Sequence, residues 1–476
     1  MKTAGTGLQR LKYMLGDYVM LNAGWLVFTL IRYAALPAAV RGSYTLSTHL
    51  TSLPVLGGQI VIPLVMIGLY WLSGYYNNVY FKSRMDEVVN TAGISLVGTV
   101  LIFFIVLVND SVPERLFNYE MLGLLWLCLL VPVLTVRVII TNRAVSRIRR
   151  REIVFNTLIV GTGQSAVKLA DRLMHTERHG GFNIVGLVET REGRRTIQPD
   201  TQLPVYVIDQ LADVVRDKHV ARLIVMPHHD GARDTGQLIN SLFPLGCSIY
   251  ISPELQSFMV TRPRLSDVAG EPLINISDSG TPASTVNCKR LSDIVLSAIT
   301  LVVLSPVLIG IGIAVALDSR GSVIFSQERI GYHKRPFRIY KFRTMRHDAE
   351  ANGPALSSLD DPRITRIGHL LRKYRLDELP QFWNVVKGDM SLVGPRPERD
   401  YYIRQIVAQA PYYSLLHQVR PGITSWGMVK YGYATSVPQM IERLRYDMLY
   451  INNVSLAVDI KILFYTVNTV FTGKGL

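Results

Sequence analysis

Four apolar stretches fill most of the first third of the chain, at about residues 15–37, 54–76, 91–109 and 121–141. Each is close to the ~20 residues that carry a helix across the hydrocarbon core of a bilayer. Four in succession point to a membrane-spanning bundle. The first is the most polar, with Asp17, Asn22 and Arg32. Lys2, Arg10 and Lys12 precede it and no small-residue cleavage site follows a short apolar core, so it reads as a span and not as a cleavable leader. Composition agrees: 49% of the 476 residues are hydrophobic and the mean hydropathy is +0.22, which also excludes intrinsic disorder.

Charge orients the bundle. Basic residues lie before the first stretch, between the second and third (Lys82, Arg84), and densely after the fourth (Arg143, Arg147, Arg149, Arg150, Arg151). Both ends of the bundle are therefore expected on the cytoplasmic side. The formal net charge of +15 suits anionic lipid, nucleic acid or phosphorylated small molecules. No aromatic or Gly-rich nucleic-acid pattern accompanies the Arg149–Arg151 run, so it reads as an anchor beside lipid headgroups. Cys128, Cys247 and Cys288 are far apart, and neither a disulfide framework nor a zinc site is expected.

From about residue 153 the pattern changes to short β-branched runs separated by amphipathic stretches: Ile153–Val160, Asn183–Val188, Pro204–Ile208, Arg222–Met226 and Ser248–Ser252. Such alternation predicts a parallel α/β sheet. The first run leads into Gly161-Thr162-Gly163-Gln164-Ser165-Ala166 and then a helical stretch, a GxGxxA turn in a strand-to-helix context. Gly161, Gly163 and Ala166 are candidate cofactor-binding positions, with Glu189 where a ribose-binding acid would fall; a tight turn without ligand explains them equally well.

Leu291–Leu317 is long enough to span, but Ser305-Pro306 sits at its centre and charges flank it (Lys289 and Arg290 before, Arg320 after). A proline there favours a kink. A fifth span would export the strongly basic remainder of the chain, against the positive-inside bias, whereas a broken helix would enter and leave on one face. On physical grounds alone the two readings are evenly matched.

Beyond residue 320, Arg335, Arg338, Lys341, Arg343 and Arg346 crowd around Phe337–Met345, a density that suits phosphate groups or else a solvated basic face. Asp361–Thr365 opens a helix carrying Ile367, Leu370, Leu371 and Tyr374 at helical spacing. It runs into Arg375-Leu376-Asp377-Glu378-Leu379-Pro380-Gln381. Adjacent carboxylates are often only helix caps. This pair is bracketed by Arg372, Lys373 and Arg375 and followed by Gly388–Pro397, whose Gly-Pro-Arg-Pro turn can hold Arg396 toward an anion.

KFRTM, LDELPQ, KGDMSLVGPRP and RPGIT, in this order behind an apolar helix with a central Ser-Pro, resemble the bacterial sugar transferases, the large monotopic polyprenyl-phosphate phosphoglycosyl transferases that start exopolysaccharide, capsule or O-antigen assembly. The resemblance covers about residues 286–476. It implies three parts: a four-helix transmembrane domain (1–150), a Rossmann-like α/β middle domain (151–280) and a mainly α catalytic domain (281–476) with a re-entrant membrane helix (289–317). It also implies an enzyme of the bacterial inner membrane, catalytic on the cytoplasmic face, that transfers a sugar 1-phosphate from a nucleotide sugar, a UDP-sugar being expected, to polyprenyl phosphate. In the implied roles Asp377 is the nucleophile that carries the phosphosugar, Glu378 binds Mg²⁺, Arg396 holds a phosphate, and Lys341, Arg343 and Arg375 contribute phosphate contacts. The partners implied are those two substrates and the lipid bilayer, with no nucleic acid; a homodimer is compatible. Arg375 stands where relatives have a small hydroxyl residue and Ser322 where many have proline, departures that should not affect chemistry; Ser425 stands where glycine is usual and Trp426–Val429 replaces a frequent WQVSGR, in a region expected near the sugar or nucleotide, so neither of those is fixed by the sequence.

The alternative is a membrane-anchored nucleotide-sugar dehydratase or epimerase. That chemistry needs Tyr-x-x-x-Lys, in which the lysine lowers the tyrosine pKa. None of the 23 tyrosines has a lysine four residues on, and no Asp-x-Asp motif supports a metal-dependent glycosyltransferase.

Overall fold

In the computed structural model the described residues are 4–35, 45–77, 84–107, 115–161, 163–175, 181–189, 203–226, 238–239, 241–251, 265–268, 271–276, 280–346, 361–432 and 434–471. Lys2, Lys82 and Thr162 lie outside them. Two compact units divide the chain: Met1–Val154 with Pro282–Cys288, and Phe155–Thr281 with Lys289–Leu476. The breaks fall close to residues 150 and 280, but the expected middle and catalytic parts share one unit.

The first unit is built on four helices, Ala4–Ala35, Leu53–Leu72, Arg84–Ile102 and Arg115–Arg149, each with a segment long and apolar enough to cross a membrane. Their outward residues, among them Leu56, Ile60, Leu64, Val97 and Val131, are apolar and exposed, as lipid-facing side chains should be. Asp17 of the first helix is accounted for inside. Arg137 donates from Nε to Asp17 Oδ1 (2.8 Å) and from Nη2 to Asp17 Oδ2 (2.6 Å), and its Nη1 reaches Thr91 Oγ1 (2.9 Å). The guanidinium lies between the rings of Tyr70 and Tyr75, 3.8 and 3.6 Å from their centroids. Tyr76 donates to Asp17 (2.6 Å), while Tyr75 and Thr141 donate to Glu87. Charge inside a bundle is tolerated only when paired in this way. Within this unit Asn287 donates to the carbonyl of Trp71 (2.6 Å).

The second unit begins with a seven-stranded sheet in the order β3-β2-β1-β4-β5-β7-β6. The strands are β1 (Phe155–Val160), β2 (Phe182–Glu189), β3 (Val205–Val207), β4 (Arg222–Val225), β5 (Ser248–Ile251), β6 (Leu265–Val268) and β7 (Glu271–Asn275). β1 to β5 pair in parallel, and β6 and β7 add an antiparallel edge. The first five strands have the order of a doubly wound sheet. β1 and β4 are almost wholly buried, which explains why they read as mainly apolar runs. Gly161 leaves β1 at φ +137°, where a Cβ would meet Met226 Cβ at 3.1 Å. Gly163 accepts from the amide of Ala166, and Ala166 is buried among Ile159, Leu169 and Leu173. Gly161 and Ala166 thus serve a close strand-to-helix crossing, whereas a Cβ at Gly163 would meet nothing within 4 Å.

The apolar segment after residue 282 forms two helices, Ala283–Val303 and Ser305–Asp318, bent by 63°. The cause is local. Pro306 has no N–H for the carbonyl of Val302, and the hydroxyl of Ser305 donates to that carbonyl instead (2.8 Å). The flanking charges are tied down: Arg290 donates to the carbonyls of Val385 and Val386, Lys289 pairs with Asp459 (2.6 Å), and Asp293 accepts from Ser391 and the amide of Leu392. The catalytic part is less purely helical than expected. An antiparallel hairpin, β8 (Ile324–Ile330) and β9 (Pro336–Phe342), and the parallel pair β10 (Ser391–Val393) and β11 (Gly422–Thr424) lie among its helices.

Candidate active site

Asp377 and Glu378 sit in a single 3-10 turn, Leu376–Glu378, between the helices Arg366–Lys373 and Gln381–Lys387. Thr365 caps the first helix by accepting from the amide of Gly368 (3.0 Å). The chain then reverses through Arg375 in the left-handed region (φ 55°), which a small hydroxyl residue would occupy at no lower backbone cost. Pro380 stands at the N-cap of the second helix, where its missing N–H costs nothing.

The partner of the pair comes from the hairpin. Buried Asn384 accepts from the amide of Tyr340 (3.1 Å) and donates to the carbonyl of Arg338 (2.7 Å), fixing β9 against the helix Gln381–Lys387. Lys341 is thereby placed with Nζ 2.7 Å from Glu378 Oε1 and 3.6 Å from Asp377 Oδ2. Arg396, carried by the extended Gly-Pro-Arg-Pro segment, brings Nη1 to 3.7 Å from Glu378 Oε1. Gly394 is required there, because the carbonyl of Arg420 lies where its Cβ would be.

Both carboxylates are buried, 7% exposed for Asp377 and 5% for Glu378. Burial pushes Asp377 above its ordinary range; Lys341 opposes the rise and Glu378 adds to it. Burial acts on Glu378 in the same direction but is outweighed by Lys341, Arg396 and Arg375, and Glu378 is held down to about 2.

The pair opens into a cavity of about 460 Å³. Nine lysine and arginine side chains line it against three carboxylates, so its natural occupant is an anion. Arg372 belongs to this wall and donates to Thr344 Oγ1 (2.9 Å). Arg343 has another task. Its guanidinium donates to the carbonyls of Val315, Ser319 and Ser322, at 3.2, 2.5 and 2.7 Å. These close the end of the helix Ser305–Asp318, so Arg343 braces that helix while it also lines the cavity. Gly161, Gly163 and Ala166 do not line the cavity. No local pattern points to Arg329 and Arg443, distant in the chain yet in the same wall. Glu398, buried beside them, directly follows Gly-Pro-Arg-Pro, and that adjacency was the available signal.

Among the described residues no group of three or more His, Cys, Asp or Glu side chains is gathered for a metal ion. Asp377 and Glu378 are hard oxygen donors that leave most of a coordination sphere open. That fits Mg²⁺, which commonly takes one or two carboxylates and completes its sphere with water and substrate phosphates.

The family described as bacterial sugar transferase matches residues 284–473, and a CoA-binding domain family matches residues 72–253. A UDP-N-acetylgalactosamine-undecaprenyl-phosphate N-acetylgalactosaminephosphotransferase of Aeromonas hydrophila is 43% identical over 39% of this chain and 44% of its own length. A UDP-glucose:undecaprenyl-phosphate glucose-1-phosphate transferase of Escherichia coli (strain K12) is 36% identical over 62% of this chain and 63% of its own length. An enzyme of that same description from Caulobacter vibrioides is 38% identical over 39% of this chain and 70% of its own length. The chain thus spans less than two thirds of the first two relatives.

Proposed function

The chain belongs to the bacterial sugar transferase family, and from that premise we propose that it transfers a sugar 1-phosphate from a UDP-sugar to undecaprenyl or a similar polyprenyl phosphate at the cytoplasmic face of the bacterial inner membrane. The observation that carries the proposal is the buried Asp377–Glu378 pair, facing an arginine-lined cavity with Lys341 on both carboxylates.

In the first step an Asp377 oxygen attacks the sugar-bearing phosphorus. The bond from that phosphorus to the bridging oxygen breaks, and the nucleoside monophosphate leaves with the electron pair. In the second step a phosphate oxygen of the polyprenyl phosphate attacks the same phosphorus, and the Asp377 carboxylate leaves. Two displacements through an enzyme-bound phosphosugar replace one encounter between two anions. Lys341 and Arg396 offset the repulsion between the carboxylates and the incoming diphosphate. Mg²⁺ held by Glu378, with Asp377 beside it, would neutralise diphosphate charge. Pro306 supports a re-entrant reading of Ala283–Asp318: the bend returns the chain to the face on which nucleotide sugars reside.

Wild-type enzyme given Mg²⁺ and a UDP-sugar without lipid should release up to one UMP per active site and gain the mass of one phosphosugar on Asp377. Asp377→Asn should do neither. A productive Asp377→Asn enzyme, or turnover that needs both substrates together with no adduct, would favour direct transfer with Asp377 as a base.

A further inference from the structure

Glu398 is 4% exposed and its two oxygens face two different arginines. Arg443 Nη2 donates to Oε1 at 2.6 Å, and Arg329 Nη1 lies 3.5 Å from Oε2. Arg329 also donates to the carbonyl of Pro397 (3.3 Å), and the Glu398 carbonyl accepts from the amide of Ile330 (3.1 Å), so side chain and backbone together lock this segment to the end of β8. Arg443 is itself 4% exposed and is wedged on the helix Val437–Asn452: a Cβ at Gly427 would meet its Cγ at 2.6 Å. Asp447, one turn further on, accepts from the amide of Gly427 (3.0 Å). Arg329, Arg443 and Glu398 all line the cavity that holds Asp377.

One buried carboxylate thus fixes two guanidinium groups, with Arg396 two residues away in the chain. A guanidinium has five N–H donors in a rigid fork, a geometry that suits a phosphate. We propose that Glu398 is a positioning residue that holds Arg443 and Arg329 in the cavity wall to receive a phosphate oxygen of the nucleotide sugar, with Arg443 and Arg329 as the contacts. The inference rests on the reading of the site given above and adds these three residues to it.

The sign of one effect separates positioning from mere counter-charge. If Glu398 only balanced charge, its removal would leave the wall more positive and would tighten anion binding. If it orients the arginines, its removal disorders them and weakens binding. The test uses the full chain in lipid nanodiscs, a panel of UDP-sugars, and UMP as a competing ligand. Glu398→Gln should raise KM for the UDP-sugar and the inhibition constant of UMP together by about fivefold or more, with kcat for transfer and KM for polyprenyl phosphate changed less than about threefold. Arg443→Lys keeps the charge but loses the fork; it should show the same rise and carries the test if Glu398→Gln is not recovered folded. A KM for UDP-sugar that is unchanged or lower in the recovered variants overturns the inference alone, even where the melting temperature falls. Absence of UMP release from every UDP-sugar by the wild-type chain overturns the reading of the site, and the inference with it.

Discussion

Replacing Lys341 with glutamine tests the electrostatic core of the site. Lys341 Nζ is 3.6 Å from Asp377 Oδ2, and at an effective dielectric of about 20 a unit charge at that distance is worth about 5 kcal/mol before competing effects. Solvent at the partly exposed ammonium and the remaining cations, Arg372 and Arg396, absorb most of this loss. The expected remainder is about one to two pH units in the titration of Asp377. The sign follows from the chemistry. A cation stabilises the carboxylate, so its loss moves the Asp377 pKa further up from an already raised position, and less of the nucleophile is ionised at a given pH. Glutamine can still donate to Glu378, which preserves the local hydrogen bond. The assay is kcat/KM for UMP release across pH 5 to 9. The acid limb of Lys341→Gln should lie about one to two pH units above that of wild type, with Lys341→Arg between them or coincident with wild type. A profile that only scales downward, or a limb displaced toward acid, would refute the placement of Lys341 as the cation that keeps Asp377 ionised.

Two further outcomes are expected. Arg343→Met strips three backbone carbonyls of a donor and should lower stability by about 2–4 kcal/mol in reversible denaturation, with KM for the nucleotide sugar unchanged within about threefold; a raised KM with unchanged stability would restore Arg343 as a phosphate contact. On the proposed re-entrant reading, in which the bend at Leu304 would return the chain to its side of entry, reporter tags after residue 150 and at Leu476 should both be cytoplasmic, and a periplasmic C-terminal tag would make Ala283–Asp318 a kinked fifth span.

The membrane helices were legible because their signal is length and apolarity, which need no partner. The parallel strands were legible because burial on both faces leaves mainly apolar, β-branched runs: Ile153–Val160 against the observed Phe155–Val160, and Arg222–Met226 against Arg222–Val225. What escaped was contact across the chain. Lys341 and Arg343 are two residues apart in one basic cluster, yet Lys341 meets the carboxylates and Arg343 meets a helix end. The division is set by Asn384 fixing one end of β9 and by the carbonyls of Val315, Ser319 and Ser322 at the other. Nothing in the local sequence separates the two roles. The pair of Arg443 with Glu398 spans 45 residues and has no periodic signature at all.

The same argument explains how adjacent carboxylates can do different work. Asp377 and Glu378 share a turn, a cavity and nearly the same exposure, so burial alone would push both up. Lys341 is the divider: its Nζ is hydrogen-bonded to Glu378 and stands farther from Asp377, while Arg396 also sides with Glu378. Glu378 is therefore held below its ordinary range, which suits the proposed role of an anion for a cation or a phosphate-bound metal. Asp377 is left the more basic of the two, which suits the nucleophilic role proposed for it. Exchanging the order of the residues, Asp377→Glu with Glu378→Asp, keeps charge and composition but moves each carboxylate by one methylene relative to Lys341. If distance to Lys341 assigns the roles, this exchange should abolish adduct formation while the protein still binds UMP. An exchanged enzyme that forms the adduct at the wild-type rate would show that the turn itself, and not the lysine, decides which carboxylate attacks.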